Sequence, residues 1–159
     1  MTTLYAISLL TFSAYITFVL LKFGTPNSLS ASYYHLEKRG WLFQVALAVS
    51  AFTLLPLTLE LSKENIQFMS FLMCGGSIFV AFAPKFKESL EGGVHKYAAL
   101  VSGVMSLLWV GLMGYAPLIF ISLFVGFSLY AKYGKPVFWA EMACFMSAYA
   151  VCLIELIKI

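Results

Sequence analysis

The chain has 159 residues and a mass of 17.7 kDa, and 62% of its residues are apolar while only 11% are charged. Soluble domains carry about 25% charged residues, so ten Lys/Arg and seven Asp/Glu cannot cover the surface of a soluble fold. The mean hydropathy of +0.91 instead indicates an integral membrane protein. The composition excludes a disordered chain and a disulfide scaffold. A net charge of +3 is also too small for the basic surface of a nucleic-acid-binding protein.

Six stretches are long and apolar enough for helices that cross the hydrocarbon core, which takes about 20 residues. They are residues 4–22, 41–59, 66–83, 97–113, 117–131 and 138–157. We therefore predict an all-α, polytopic membrane bundle that forms one transmembrane domain over residues 1–159. No Lys or Arg precedes the first stretch, so it lacks the basic region of a signal peptide and is expected to be a retained span.

The connection after the first span is the most polar segment of the chain. A Thr-Pro pair can start a helical turn there, and Leu29, Tyr33 and Leu36 follow at helical spacing. This pattern predicts a short interfacial helix that directs its serines and the pair Lys38/Arg39 toward water. A plain interfacial connector is the alternative.

The same segment carries a motif, a Pro-x-Ser-Ile-Ser-x-Tyr-Tyr element with an arginine a few residues later. Its positions are filled by Pro26, Ser28, Leu29, Ser30, Tyr33, Tyr34 and Arg39, with leucine for isoleucine and one extra residue before the tyrosine pair. In this motif the chain resembles an uncharacterised family of small bacterial six-span membrane proteins. Weaker similarities are Asn65, Ala81-Phe82-Ala83-Pro84, Val94-His95 and Ala98-Ala99. The resemblance covers about residues 20–110 and implies a fold but no chemistry.

The fourth and fifth spans form one apolar stretch that only Gly114-Tyr115-Ala116-Pro117 interrupts. A glycine followed by a proline typically ends one helix and starts the next, so we predict a tight hairpin and six spans. Without the hairpin there would be five. Glu91-Gly92-Gly93 is predicted to break the chain before the fourth span.

Basic residues are concentrated in the connections after the first, third and fifth spans. These hold eight of the ten Lys and Arg, namely Lys22, Lys38, Arg39, Lys85, Lys87, Lys96, Lys132 and Lys135. Positive charge favours the cytoplasmic side. The expected localisation is therefore multi-pass in a cell membrane, the inner membrane of a bacterium, with both termini outside the cytoplasm.

Small and polar residues at helical spacing predict the inward faces of the spans. The stripes are Ser70, Cys74, Ser77 and Ala81; Ala99, Gly103 and Ser106; Ser122 and Gly126; and Ala46, Ser50, Thr53, Leu57 and Glu60. The last span has Glu141 and Glu155 on one stripe, about one turn inside each interface. An ionisable group within a span is a functional candidate by default, and a snorkelling or paired carboxylate is the alternative.

Polar groups near the cytoplasmic face form the candidate ligand site. They are Ser28, Ser30, Tyr33, Tyr34, His35, Arg39, His95 and Glu141. Histidines and carboxylates there could bind a divalent metal or transfer protons. No His-x-x-x-His or Glu-x-x-His spacing occurs, and Cys74, Cys144 and Cys152 all lie in apolar runs. We therefore predict no metal, no cofactor and no catalytic residue.

Three classes of function remain open. The preferred one is binding or movement of a lipid or small amphiphile in a cavity open to the cytoplasmic side. The others are a membrane-embedded acid/base enzyme acting on a lipid, in which Glu141 and His95 would be required, and a non-catalytic assembly protein. The chain is short and shows no repeat between residues 1–65 and 66–159, so a transporter of this size would require a homodimer.

Overall fold

The computed structural model describes residues 1–83 and 89–158, with the side chains of residues 89–91 excepted. Every regular element in this part of the chain is helical, which confirms the all-α class. The helices are α1 (Thr2–Phe23), α2 (Ser32–His35), α3 (Trp41–Leu61), α4 (Gln67–Phe82), α5 (Ser89–Val110), α6 (Ala116–Tyr133) and α7 (Pro136–Lys158), with 3-10 turns at Glu37–Arg39 and Glu64–Ile66.

Five helical runs in the described residues are long and apolar enough to cross a membrane, so the chain is a multi-pass membrane protein. The fourth run, Gly92–Tyr133, has 42 residues, about twice the length that one crossing needs. It contains the turn Gly111–Tyr115, where Gly114 has φ 90° and ψ 11°. This left-handed conformation favours glycine because a Cβ would clash with the backbone there.

Contacts with α7 show that this run folds back on itself. A methyl group built at Gly103 would lie 3.6 Å from the Sγ of Cys144, and one built at Gly126 would lie 3.6 Å from the Cβ of Ala143. In one straight helix, residues 103 and 126 would be about 35 Å apart, yet they meet adjacent residues of α7. The run therefore reverses direction at this turn, as the hairpin prediction requires, and α5 and α6 are antiparallel.

The small-residue faces lie where the spacing predicts them. Ser70, Cys74, Ser77 and Ala81 are all buried on α4. The neighbouring Gly76 brings α4 close to α5, since a methyl group there would lie 2.8 Å from the carbonyl oxygen of Ala98. Close approach of this kind is how helices associate where lipid offers no hydrophobic driving force.

Side-chain hydrogen bonds also join the helices. The buried Ser8 hydroxyl lies 2.8 Å from the Tyr149 hydroxyl and donates to the Ser50 carbonyl at 2.8 Å, which joins α1, α3 and α7. At the end of the bundle that holds the termini, Glu155 accepts hydrogen bonds from Tyr115 and Lys158. Glu155 is thus a paired carboxylate that ties the α5–α6 turn to the end of α7.

Three sequence predictions are wrong in detail. Glu60 is exposed instead of facing inward, because it lies one residue before the end of α3, where a carboxylate stays hydrated. Gly92 and Gly93 lie inside α5, which begins at Ser89, so they do not break the chain before the fourth span. Glycine costs about 1 kcal/mol relative to alanine in a helix, yet α5 continues through both glycines, of which Gly92 is buried.

The third correction concerns the loop between α1 and α3, residues 24–40. Its helix is only the four-residue α2, and Ser30 and Ser32 are buried instead of facing water. The Ser30 hydroxyl lies 3.2 Å from the Ser28 hydroxyl, and the partners of the Ser32 hydroxyl are described below. Pro84, Lys85 and Lys87, which also entered the sequence predictions, lie outside the described residues.

Candidate functional site

A cavity of about 720 Å³ lies between α3, α4, α5 and α7. Its deep walls are apolar and buried, with Leu54 from α3, Met73 from α4 and Ala148 from α7. Its other end is lined by residues 27–30 of the 24–40 loop. The cavity therefore lies in the half of the bundle next to this loop and the α6–α7 turn.

The 24–40 loop is held over the cavity by buried contacts. Leu29 and Leu36 are both buried, so the loop packs apolar side chains onto the bundle. The Ser32 hydroxyl donates to the Leu29 carbonyl at 2.5 Å and lies 2.5 Å from the Tyr15 hydroxyl of α1. Because Ser32 is 0% exposed, these bonds satisfy a hydroxyl that would otherwise be buried without a partner.

Two side chains next to the α6–α7 turn fasten the loop from the other side. The carboxylate of Glu141 accepts a hydrogen bond from the backbone N–H of Leu29, with 2.6 Å between Oε2 and N. Lys135 donates to Oδ1 of Asn27 at 2.7 Å. A hydrogen bond to a carboxylate is stronger than a neutral one, so Glu141 makes the main polar contact between the loop and α7.

Glu141 is the acidic side chain of the cavity wall. It lies five residues into α7, about 7–8 Å below the start of the helix. Among the described residues, its carboxylate accepts hydrogen bonds only from Leu29. An ionised carboxylate has room for about four hydrogen bonds and donates none, so Glu141 retains acceptor capacity for a donor placed in the cavity.

His95 lines the cavity from α5 and is 4% exposed. Its Nδ1 lies 2.8 Å from the carbonyl oxygen of Ala83. A carbonyl oxygen only accepts, so Nδ1 carries the proton in this bond. His95 thus connects the start of α5 to the end of α4.

Hydroxyl groups deeper in the cavity are already satisfied within the protein. Ser102 donates to the Met73 carbonyl at 2.7 Å and lies 2.8 Å from the Ser77 hydroxyl. Ser106 donates to the Cys144 carbonyl at 3.1 Å. Since their hydrogen-bonding capacity is largely used, these walls behave as an apolar surface toward a ligand.

One side of the cavity reaches the outer surface of the bundle. Leu100 and Val104 of α5 and Val137 of α7 line the cavity and are 62%, 43% and 54% exposed. Ala140, also exposed, lies on α7 between the face that meets α5 and the face that meets α6. The cavity therefore opens sideways where α5 and the first turns of α7 line it.

The structure brings half of the predicted site together. Ser28, Ser30, His95 and Glu141 all line the cavity. The other four predicted residues, Tyr33, Tyr34, His35 and Arg39, do not.

The side chains outside the cavity have other surroundings. The Tyr33 ring lies against Gly40 and edge-on to both Tyr34 and Phe43. His35 stacks on Phe23, with 5.9 Å between ring centroids, and Arg39 is exposed. These residues shape the loop and its outer surface.

Asn27 and Lys96 line the cavity and were missed by the sequence analysis. Asn27 precedes the predicted site residue Ser28, and Lys96 follows the predicted site residue His95. This adjacency in the sequence was the signal that could have identified them. Lys96 had been assigned to orientation alone, and its side chain is exposed.

The side chains that could bind a metal ion lie apart from one another in the described part of the chain. No group of three or more His, Cys, Asp or Glu there is close enough to hold a metal ion. The three cysteines are free, and Cys74 and Cys152 are buried.

No protein-family model matches the chain, and the searches of curated proteins and of solved structures find no match either.

Proposed function

We propose that the chain binds or moves a lipid or small amphiphile in the cavity between α3, α4, α5 and α7. The observation that carries this proposal is the division of the cavity into a polar end and an apolar body. Glu141 and the 24–40 loop form the polar end, and the deep walls are apolar. An amphiphile has the same division, and about 720 Å³ lies within the range of about 300–1,000 Å³ typical of small-molecule sites.

The sideways opening supports the bilayer as the source of the ligand. Leu100, Val104 and Val137 present apolar surface both to the cavity and to the outside of the bundle. A hydrocarbon chain entering there from the adjacent leaflet would stay in apolar surroundings along its path. A polar metabolite from water would have to cross that apolar surface or pass the 24–40 loop.

The same proposal includes the orientation of the chain in a bacterial cell membrane. Six crossings leave both termini at the same end of the bundle, and the loops with most of the basic residues lie at the other end. The positive-inside rule supports a cytoplasmic position for those loops. The polar end of the cavity would then lie on the cytoplasmic side, with the termini outside.

A membrane-embedded enzyme that acts on a lipid is the second candidate. One observation favours it, namely that a carboxyl group and an imidazole group, Glu141 and His95, line the same cavity. An enzyme would release a ligand of altered mass, whereas a binding or transport protein would release it unchanged. An assembly protein would need no occupied cavity.

Native mass spectrometry of protein extracted gently from membranes tests the proposal. We expect the wild-type protein to carry one bound amphiphile, and Ala99→Trp, which fills the cavity from α5, to lose it. Val101→Trp is the matched control, because position 101 is on the same helix but faces outward and does not line the cavity. The same spectra report whether two chains associate as a homodimer.

The proposal is overturned if wild-type protein is empty in several mild detergents. It is also overturned if Ala99→Trp keeps the bound mass as well as Val101→Trp does. An assembly protein would give the first of these results.

A further inference from the structure

Glu141 lines the cavity without a cationic partner from the described part of the chain. Its carboxylate accepts one hydrogen bond, from the Leu29 N–H at 2.6 Å, and no described Lys, Arg or His forms an ion pair with it. An acidic side chain within a membrane-crossing helix usually pairs with a positive group, because an ionised carboxylate away from water is costly on its own. The polar end of the cavity therefore holds a negative charge that a ligand can balance.

Apolar side chains follow Glu141 along the same face of α7. Phe145 and Ala148 are four and seven residues further on, so they share its side of the helix, and all three line the cavity. At 1.5 Å per residue, Ala148 lies about 10 Å from Glu141 along the helix axis. Leu54 of α3 and Met73 of α4 add apolar surface to the cavity. From its carboxylate, the cavity thus continues past apolar side chains toward the middle of the bundle.

This placement determines the order of groups in the ligand. A positively charged nitrogen that carries N–H groups complements Glu141, because a carboxylate accepts hydrogen bonds and donates none. The hydrocarbon chain must begin directly at that nitrogen, since the apolar wall begins about one turn of α7 away. An anionic group between the nitrogen and the chain would be repelled by Glu141 and would lie against apolar side chains.

Lys96 also lines the cavity, but it places no requirement on the ligand. Its side chain is exposed, and a long lysine side chain can carry its ammonium group to water or to the lipid headgroups. The ligand therefore needs no anionic group to balance this lysine.

We propose that the ligand is a cationic amphiphile of the alkylamine class, in which one protonated amine is attached directly to a hydrocarbon chain. The ammonium group binds Glu141, and the chain lies against Phe145 and Ala148. This inference rests on the proposed function, since it names the class of ligand for the same cavity. Glu141 then has two partners, the N–H of Leu29 and the ammonium group of the ligand.

Three amphiphiles with the same chain length test the head group. At neutral pH dodecylamine is a cation, dodecanol is neutral and dodecanoic acid is an anion. We expect the wild-type protein in detergent to bind the amine at least about tenfold more tightly than the alcohol, as the loss of a charge-assisted hydrogen bond predicts, and the acid least tightly. Native mass spectrometry, with each compound titrated at the same mole fraction of detergent, gives the ratios.

Two glutamate variants separate the local charge from the overall charge of the protein. Glu141→Gln keeps an amide oxygen for the Leu29 N–H but removes the charge, so the preference for amine over alcohol should fall to within about twofold. Glu60→Gln is the matched control, because Glu60 is exposed on α3 and does not line the cavity. It loses the same charge and should keep the wild-type preference.

A third variant locates the hydrocarbon chain. Ala99→Trp fills the cavity and should weaken binding of every compound that wild type binds. The melting temperature of each variant checks its folding. If Glu141→Gln does not fold, the wild-type preference for the amine and its loss in Ala99→Trp decide the question.

Several results overturn the inference. One is equal binding of the amine and the alcohol by wild type, and another is tightest binding of the acid. A third is a preference for the amine that survives Glu141→Gln or that Glu60→Gln abolishes equally. If wild type instead binds none of the three compounds, or if Ala99→Trp binds them as well as wild type does, the proposed function itself is contradicted. The two failures are therefore distinguishable.

Discussion

Glu141 is an acidic side chain within a membrane-crossing helix, and its neighbours determine its role there. It faces the cavity, and one of its oxygens accepts the backbone N–H of Leu29 at 2.6 Å. The same side chain therefore holds the 24–40 loop in place and supplies the acidic group of the candidate site. Under the proposed function, a ligand in the cavity would therefore meet the same carboxylate that holds the loop.

We expect Glu141→Ala to loosen the 24–40 loop. The substitution leaves the N–H of Leu29 without its acceptor, which costs about 1–3 kcal/mol for a buried donor. Ser30, which is 5% exposed, should then become accessible to water. The measurement is the labelling rate of a Ser30→Cys variant by a membrane-impermeant maleimide, with and without Glu141→Ala.

The matched control for this experiment is Glu141→Gln, whose amide oxygen still accepts from Leu29. Wild-type protein gives the background from its native cysteines. Equal labelling of Ser30→Cys in the alanine and glutamine backgrounds would show that the loop does not depend on this hydrogen bond.

At the scale of helices, close packing of α4 on α5 depends on one of two adjacent glycines. A methyl group at Gly76 would lie 2.8 Å from the Ala98 carbonyl oxygen and 2.9 Å from the Cβ of Ser102. One at Gly75 would meet nothing within 4 Å. Alanine substitutions at the two positions therefore distinguish the effect of helix propensity on stability from the effect of helix packing.

We expect Gly76→Ala to destabilise the protein by about 1–3 kcal/mol, the usual cost of overpacking. Gly75→Ala should leave stability unchanged or raise it by up to about 1 kcal/mol, because alanine is the better helix former. Thermal unfolding of both variants in the same detergent provides the comparison. A Gly76→Ala protein as stable as Gly75→Ala would contradict the close approach of α4 and α5.

The helices themselves were largely predictable from the sequence, because a bilayer-spanning helix needs a long apolar run and such runs are visible by composition. The buried stripe of Ser70, Cys74 and Ala81 was predictable from spacing alone. Helix ends were less predictable, since α5 begins at Ser89 and continues through Gly92 and Gly93 despite the low helix propensity of glycine.

The candidate site was half predictable. Glu141 and His95 stood out because ionisable residues are rare within spans. The contact of Glu141 with Leu29 could not be foreseen, since its donor is a backbone N–H 112 residues away that every residue except proline possesses. Ser30 and Ser32 were assigned to water because their burial depends on partners supplied by the folded loop.

For the whole molecule, the reversal at Gly111–Tyr115 determines how many times the chain crosses the membrane. With α5 and α6 antiparallel, the described helices leave both termini at the same end of the bundle. Glu155 at the end of α7 reinforces this arrangement, because it accepts a hydrogen bond from Tyr115 in the turn itself.

We expect a reporter fused after Ile159 to be active outside the cytoplasm, and one inserted in the α6–α7 turn at Gly134 to be active in the cytoplasm. The reason is the positive-inside rule applied to the basic loops at that end of the bundle. A pair of fusions to alkaline phosphatase and green fluorescent protein at each site provides the measurement. The reverse pattern would contradict the orientation, and the same compartment for both sites would contradict six crossings.

The bond from Leu29 to Glu141 also bears on how the chain tolerates substitution. Position 29 contributes its main chain to the bond and its side chain to packing, so many apolar residues could replace leucine without disturbing the carboxylate. Proline is the exception, because it lacks the N–H. Positions 29 and 141 should consequently vary independently among homologous sequences, with no correlated pair of substitutions to reveal that they touch.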